Sequence, residues 1–332
     1  MILALNCGSS SLKYAAFDGE QRTAGGVVGR IGVPGGHATH ADAVHAALDL
    51  LPAPEAVGHR LVHGGPKLLQ PVRIDAQVLA LLREALPFAP LHLPAELAAI
   101  EAVARRYPRV SQVACFDTAF HRSLPEVARR FPLPRRVDAE GVRRYGFHGL
   151  SYEWAVSELR LRGRAVIAHL GNGASMCAVR DGVCIDTTMG LTPAGGFMMG
   201  TRSGDLDPGV LIFLLQTMSR DEIARVVERE AGLLGVSEMT SDMKTLLASD
   251  DPRARLAVEM FCYQARKAVG ALAAALGGLD TLVFTGGIGE HSAEIRGRIC
   301  AGLEYLGGFA VRVIAADEER VIARHVCTLL VV

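Results

Sequence analysis

ALNCGSSSLKYAAFDG, residues Ala4 to Gly19, returns about half a chain later as IAHLGNGASMCAVRDG, residues Ile167 to Gly182. Gly8 aligns with Gly171, Ala15 with Ala178, and Asp18-Gly19 with Asp181-Gly182. In each copy an apolar stretch enters a glycine-bearing turn, a second strand-like stretch leaves it, and an Asp-Gly pair supplies a hairpin signal. Only four of the sixteen positions are identical, so the weight of the echo lies in this shared order of features. It predicts two similar α/β domains, each opening on a glycine-turn hairpin.

In the first copy Asn6-Cys7-Gly8-Ser9-Ser10-Ser11 makes the turn, and Lys13 follows just inside the second strand. A glycine, several backbone N–H groups, three hydroxyls and an ammonium make either a phosphate cradle or an ordinary hairpin turn. The turn is not a Walker A loop, because GxxxxGK[ST] is absent and a strand follows where that motif needs a helix. Two such turns, one per domain, would grip a polyphosphate from both sides of a cleft.

Working outward, 332 residues suit two domains at roughly 150 residues each. A hydrophobic fraction of 50% with 21% charged residues is an ordinary globular composition. The net charge is zero, with 35 residues of each sign, which offers no electrostatic footprint for nucleic acid or an anionic membrane. Apolar runs such as Val210 to Leu215 fall far short of the roughly 20 residues of a membrane span. Met1 leads directly into a strand-like ILAL with no basic segment and no cleavage site, so a cytoplasmic location is expected. The seven cysteines have no CxxC spacing and read as reduced core residues.

Between and after the copies the chain alternates. Ala56 to Val62 and Gln112 to Phe116 are strand-like, and Ala76 to Leu86 and Ala95 to Arg106 carry helical apolar spacing. Pro87, Pro90 and Pro94 put Leu91 and His92 on a loop between those helices. Strand ends deliver Arg60, His63 and Asp117, as in sites at the carboxyl edge of an α/β sheet. His59 and His63 fall on one strand face by count, with no acidic or thiol partner spaced for a metal. Arg143 to Gly149 is a basic, aromatic, glycine-bounded loop carrying His148.

Asp186 to Asp205 reads DTTMGLTPAGGFMMGTRSGD, with five glycines, three methionines and one cation, Arg202. It is either an anion-holding loop or a core-covering loop that packs on its methionines. Ser219 and Glu222 form a candidate capping box for a helix through Glu230. A helix from Pro252 to Leu276 is expected to stop at Gly277-Gly278. The strand Thr281 to Phe284, a glycine turn and a helix should follow, an order suited to a nucleotide. Ala316 to Arg324 opens a last helix with acids in its first turn.

Taken together, these segments resemble the acetate kinase family of the sugar kinase, Hsp70 and actin superfamily. The resemblance is carried by LNCGSSSLK at 5 to 13, GHRLVHGG at 58 to 65, PLHLP at 90 to 94, FDTAFH at 116 to 121 and RRYGFHG at 143 to 149. It continues with HLGNGAS at 169 to 175, the glycine-rich stretch through Pro208, FTGGIGE at 284 to 290 and EERVIAR at 318 to 324. The resemblance implies duplicated actin/Hsp70-like (ribonuclease H-like) α/β domains with an interdomain active-site cleft. Residues 1 to 119 with about 320 to 332 would be the acyl-substrate and Mg²⁺ domain, and 120 to 319 the nucleotide domain.

It further implies an ATP:acetate phosphotransferase that requires Mg²⁺ and is usually a homodimer. Arg202 and Arg60 would hold the phosphoryl group and substrate carboxylate, His148 would hydrogen-bond to the phosphoryl group in the transition state, and Asp117 would position the nucleophile or the arginines. Asn6 and Glu318 would hold Mg²⁺. Ser10, Lys13, His169, Leu170, Gly171, Asn172 and Gly173 would meet the nucleotide, as would Gly287, Ile288, Gly289, Glu290 and His291, with Asp242, Met243 and Lys244 near the adenosine. Val62, Leu91, Phe147 and Pro193 would form the acyl pocket.

The chain departs from the family pattern in its short region before Gly58, at Ala194-Gly195, at Leu150-Ser151-Tyr152 and at Lys244. Propionate or butyrate in place of acetate keeps the same chemistry. A pyrophosphate donor or a non-catalytic nucleotide-binding module is opposed by the retained GGIGE and HLGNG and by the full set of site residues.

Overall fold

β1, Ile2–Cys7, is buried along its whole length, because its apolar residues are the centre of a sheet covered on both faces. The structure is a computed structural model describing residues 1–8 and 11–330; Ser10, expected at the nucleotide, lies outside the described residues. By internal packing the chain divides into two units. The first is Met1–Arg122, His148–Trp154 and the segment from Asp317 onward; the second is Ser123–Phe147 and Ala155–Ala316.

In the first unit β2 (Leu12–Asp18), β3 (Gln21–Val28), β4 (Ala56–Leu61), β5 (Val72–Arg73) and β6 (Ser111–Phe116) join β1 in the order β3-β2-β1-β4-β6-β5. β1, β4 and β6 run parallel, while β2, β3 and β5 are antiparallel to their neighbours. Alternate residues of a strand face opposite sides, and both sides are used here. Leu3, Leu5 and Val57 pack with Val44, Ala47, Ala99 and Val103 of the helices His40–Asp49 and Leu93–Arg106. Gly58 faces the other way, where a Cβ would come within 2.3 Å of Ile322 Cγ2 in the helix Glu318–Leu330. That helix therefore lies directly on β4.

In the second unit β7 (Arg164–Leu170), β8 (Ala174–Arg180), β9 (Val183–Thr187), β10 (Thr281–Thr285) and β11 (Ala310–Val313) are ordered β11-β10-β7-β8-β9. β7, β8 and β9 form an antiparallel meander and β10 runs parallel to β7, repeating the arrangement of β1, β2, β3 and β4. The register also shifts in both copies, at Ala16/Phe17 in one and, one aligned position earlier, at Ala178/Val179 in the other. The helix Pro252–Leu276 buries Phe261, Ala265, Val269 and Leu272 and packs on β7 and β8. It ends where Gly277 turns left-handed at φ 71°.

Four expectations need correction. The helix expected at Ala95 begins at Leu93, with Pro94 in the first turn, where its missing N–H is no loss. β4 ends at Leu61, so His63 is not on a strand face with His59. GGIGE has no separate turn, since Gly286, at φ 77°, starts the helix Gly286–His291 directly after β10. The capping box of Ser219 and Glu222 is present, but the α-helix it opens stops at Arg225 and continues to Glu230 as a π-turn. Among the described residues no helix is long and apolar enough to cross a membrane.

Candidate active site

In the first unit the carboxyl ends of three parallel strands assemble the charged groups. Register pairs Asn6 with Arg60, and the Asp117 N–H donates to Leu61 O at 2.9 Å, so each expected residue lies within one position of the carboxyl end of β1, β4 or β6. Arg60 Nε lies 3.1 and 3.2 Å from the two Asp117 oxygens, and Nη2 lies 2.5 Å from Oδ2. Asp117 is 1% exposed, so this is a forked ion pair in a dry setting. Nη1 donates to Cys7 O at 3.3 Å. Burial works against the Arg60 charge, but Asp117, then Glu318 and Glu96, outweigh it and raise its pKa.

His148 stands at φ 57°, a left-handed conformation that costs a non-glycine residue energy and marks a constrained position. Its neighbour explains the constraint. The Gly149 N–H donates to Asp117 O at 2.9 Å, and a Cβ on Gly149 would come within 2.2 Å of that oxygen. Thus the start of the helix Gly149–Leu159 is pinned to the end of β6, and His148 is held beside Asp117 in the chain path.

Asn6 Nδ2 donates to Glu318 Oε2 at 2.8 Å and to Glu319 Oε1 at 3.0 Å. The packing of Ile322 on Gly58 places these two acids there. Glu319 also accepts from Arg22 Nη2 at 3.4 Å. One amide and two carboxylates form a hard oxygen set of the chemistry that suits Mg²⁺. Lys13 is exposed on β2, in register with Asn6. Val62 is 2% exposed and Leu91 42% exposed.

In the second unit His169 on β7 is in register with Thr285 on β10, which brings the turn Leu170 to Gly173 beside Gly286. A Cβ on Gly286 would meet Leu170 backbone atoms at 2.9 to 3.0 Å, so glycine permits that approach. The two expected nucleotide segments therefore meet. The Glu290 carboxylate is engaged in the backbone, accepting from Gly286 N at 3.0 Å and Ala316 N at 2.9 Å. Gly287 and His291 are exposed, Ile288 is half-buried and Gly289 is buried. Asp242 to Lys244 stand on another element, the short helix Met243–Leu247, which Asp242 caps through Thr245 N at 2.9 Å. Met243 is buried in the core.

The glycine-rich stretch packs on its methionines, as its core-covering reading expects. Met189, Met198 and Met199 are buried, while Arg202 is half-buried with Nη1 donating to Pro193 O at 2.8 Å. Its irregular backbone is held by specific bonds, among them Gly200 N to Asn172 O at 2.9 Å and Asp205 N to Gly196 O at 2.6 Å. Pro193 is half-buried and Phe147 buried.

Three residues escaped the sequence reading. Arg144 braces the glycine-rich stretch, Nη1 donating to the carbonyls of Thr187, Thr188 and Met189 at 3.0 to 3.2 Å. Glu319 shares Asn6 with Glu318, and its signal was the doubled acid. Glu96, 2% exposed, receives the Val62 N–H at 3.1 Å on both oxygens. Burial, with Asp117 adding, pushes its carboxyl up to about 8 against Arg60 and the Val62 amide. Nothing in the apolar spacing of its helix distinguishes it from a surface acid. His59 is likewise buried, bonded to Gln112 Oε1 at 2.7 Å, and burial lowers its pKa to about 4 against that bond.

The two sheets repeat one α/β arrangement, and the comparisons give the class of the chain as a kinase. Residues 37–328 match the model of the acetokinase family. The acetate kinase of Rhodopseudomonas palustris strain TIE-1 is 44% identical over 391 residues, covering 99% of this chain and 98% of the relative. An alignment of that length on a 332-residue chain requires gaps in this chain. A propionate kinase from Francisella tularensis superposes with TM-score 0.92 at 34% identity, and the Porphyromonas gingivalis acetate kinase with 0.87 at 37%, each covering 99% of both chains. The chain belongs to the acetokinase family, and its two units are duplicated domains of the actin and Hsp70 type.

Proposed function

We propose that this chain transfers the γ-phosphoryl group of ATP to acetate, reversibly, giving acetyl phosphate and ADP. The observation that carries the reading is the Arg60 fork on Asp117 at the carboxyl edge of the first sheet. An acetate oxygen bonds to the γ-phosphorus as the bond to the β,γ-bridging oxygen breaks, and the electron pair leaves with ADP. Acetate is already ionised at neutral pH, so the step needs no general base. Asp117, locked onto Arg60, orients that guanidinium while Arg60 binds the carboxylate. Arg202 and His148 meet the charge on the transferred phosphoryl oxygens, since such a transfer asks mainly for alignment and neutralisation.

In this reading His169 to Gly173 and Gly287 to His291 line the nucleotide with Ser10 and Lys13, and Asp242 to Lys244 lie near the adenosine. Val62, Leu91, Phe147 and Pro193 are the residues assigned to the acyl group. The first unit carries Arg60, Asp117 and the metal set, and the second carries most of the nucleotide residues. Asn6 and Glu318 would hold Mg²⁺, with Glu319 beside them. The ion supplies charge neutralisation on the phosphates. A homodimer is part of the proposal, supported by the helix Pro208–Leu214, where Ile212 is 66% and Phe213 67% exposed. So is a cytoplasmic location, in keeping with seven free cysteines.

The fit to a propionate kinase favours propionate as the second reading, with butyrate beyond it. One methylene in an apolar pocket is worth only about 1–3 kcal/mol. Hydroxylamine trapping of acyl phosphates decides among acetate, propionate and butyrate with ATP, GTP or pyrophosphate. The proposal expects acetate with ATP to give the highest kcat/KM. A higher value for propionate moves the assignment to the second reading, and no hydroxamate from any pair refutes both.

A further inference from the structure

Glu96 is an acid buried in the first turn of the helix Leu93–Arg106, with its oxygens on the Val62 amide beside Arg60. The charged groups that act on it are Arg60 from β4 and Asp117 from the end of β6, and Glu96 in turn acts on the Cys7 thiol at the end of β1. Asp117 already forks Arg60, so a second ionised carboxylate here would compete with any anion that the guanidinium is to bind. A neutral carboxyl keeps an acceptor for the Val62 N–H without that competition.

Resting on the acetate kinase reading, we propose that Glu96 is a positioning residue that sets the affinity of this half-site for a carboxylate. Neutral, it anchors the Val62 wall and leaves Arg60 to the substrate; ionised, it draws on Arg60 and weakens substrate binding. Burial puts that ionisation at about 8. Cys7 is pushed by burial, with Glu96 adding, up to about 12, and so stays a thiol throughout. His63 and His92 are titratable neighbours along the two chain segments. Comparing wild type with Glu96→Gln cancels their contribution, because the amide keeps the acceptor and removes only the ionisation.

The test measures KM and kcat for acetate, and the acetate-dependent rise in melting temperature, from about pH 6.5 to about pH 9 in wild type, Glu96→Gln and Glu96→Ala. In wild type KM should rise on the order of tenfold across that range while kcat changes less than about threefold. Glu96→Gln should hold KM within about twofold throughout. Glu96→Ala should raise KM at every pH, since the Val62 amide loses its acceptor. A Glu96→Gln profile that tracks wild type overturns the proposal. Should Glu96→Ala fail to fold, the wild type and Glu96→Gln pair still decides. If wild type forms no acyl phosphate, the acetate kinase reading falls by itself and acetate protection decides for Glu96. Protection that fades with pH only in wild type supports it, and identical profiles overturn it.

Discussion

Arg202 and Arg60 divide the cationic work in the proposed reaction, and their surroundings suit different tasks. Arg60 is forked by a carboxylate, whereas Arg202 Nη1 donates to Pro193 O at 2.8 Å and to Met199 Sδ at 3.7 Å, and the charge of Arg202 acts on Glu228. A guanidinium aimed at the charge that develops on a transferred phosphoryl group supplies much of the stabilisation of the transition state. Arg202→Ala is therefore expected to lower kcat on the order of 10³-fold, with a melting temperature close to wild type. Retention of most activity in steady-state assays would remove Arg202 from the mechanism. Glu96 gives a pH signature of stability. Its pKa is raised from 4.5 unfolded to about 8 folded, so its contribution is full below 4.5 and is lost as pH rises to about 8. The stability of Glu96→Gln relative to wild type should thus climb by up to roughly 1.4 kcal/mol per pH unit in that window. Urea titrations at several pH values check it, and a flat difference would contradict it. Arg60, Asp117 and Arg202 were legible as lone charges at strand ends or in apolar context. Glu96 was not, because what distinguishes it is a bond to Val62 made across 34 residues of chain.

At the scale of elements, glycines decide where helices dock on sheets. Gly58 lets Glu318–Leu330 lie on β4, and that helix carries both acids to Asn6. Gly58→Ala should push Ile322 and Val326 outward, cost on the order of 1–3 kcal/mol by overpacking and raise the Mg²⁺ requirement. Thermal unfolding with an Mg²⁺ titration of activity measures both, and an unchanged Mg²⁺ midpoint would separate the helix from the metal. The duplicated hairpins and the long alanine-rich helix were legible because apolar periodicity and Asp-Gly or Gly-Gly stops are local signals. The starts at Leu93 and Gly286 were misjudged for one reason. A proline at the start of a helix and a glycine at positive φ each resemble a break, and only their packing shows them to be beginnings.

For the whole molecule, the exposed apolar face from Leu206 to Leu215 is the feature a lone chain leaves unexplained. If it is the homodimer surface, Ile212→Asp with Phe213→Asp should convert a sedimenting dimer to a monomer, while a wild type that sediments as a monomer would contradict the assignment. Phosphorus NMR follows phosphoryl transfer to a carboxylate directly. With Mg²⁺, ATP and acetate, an acyl phosphate resonance should grow as the γ resonance of ATP declines, and acetyl phosphate with ADP should give ATP in reverse. Loss of the γ resonance with only inorganic phosphate appearing would contradict it.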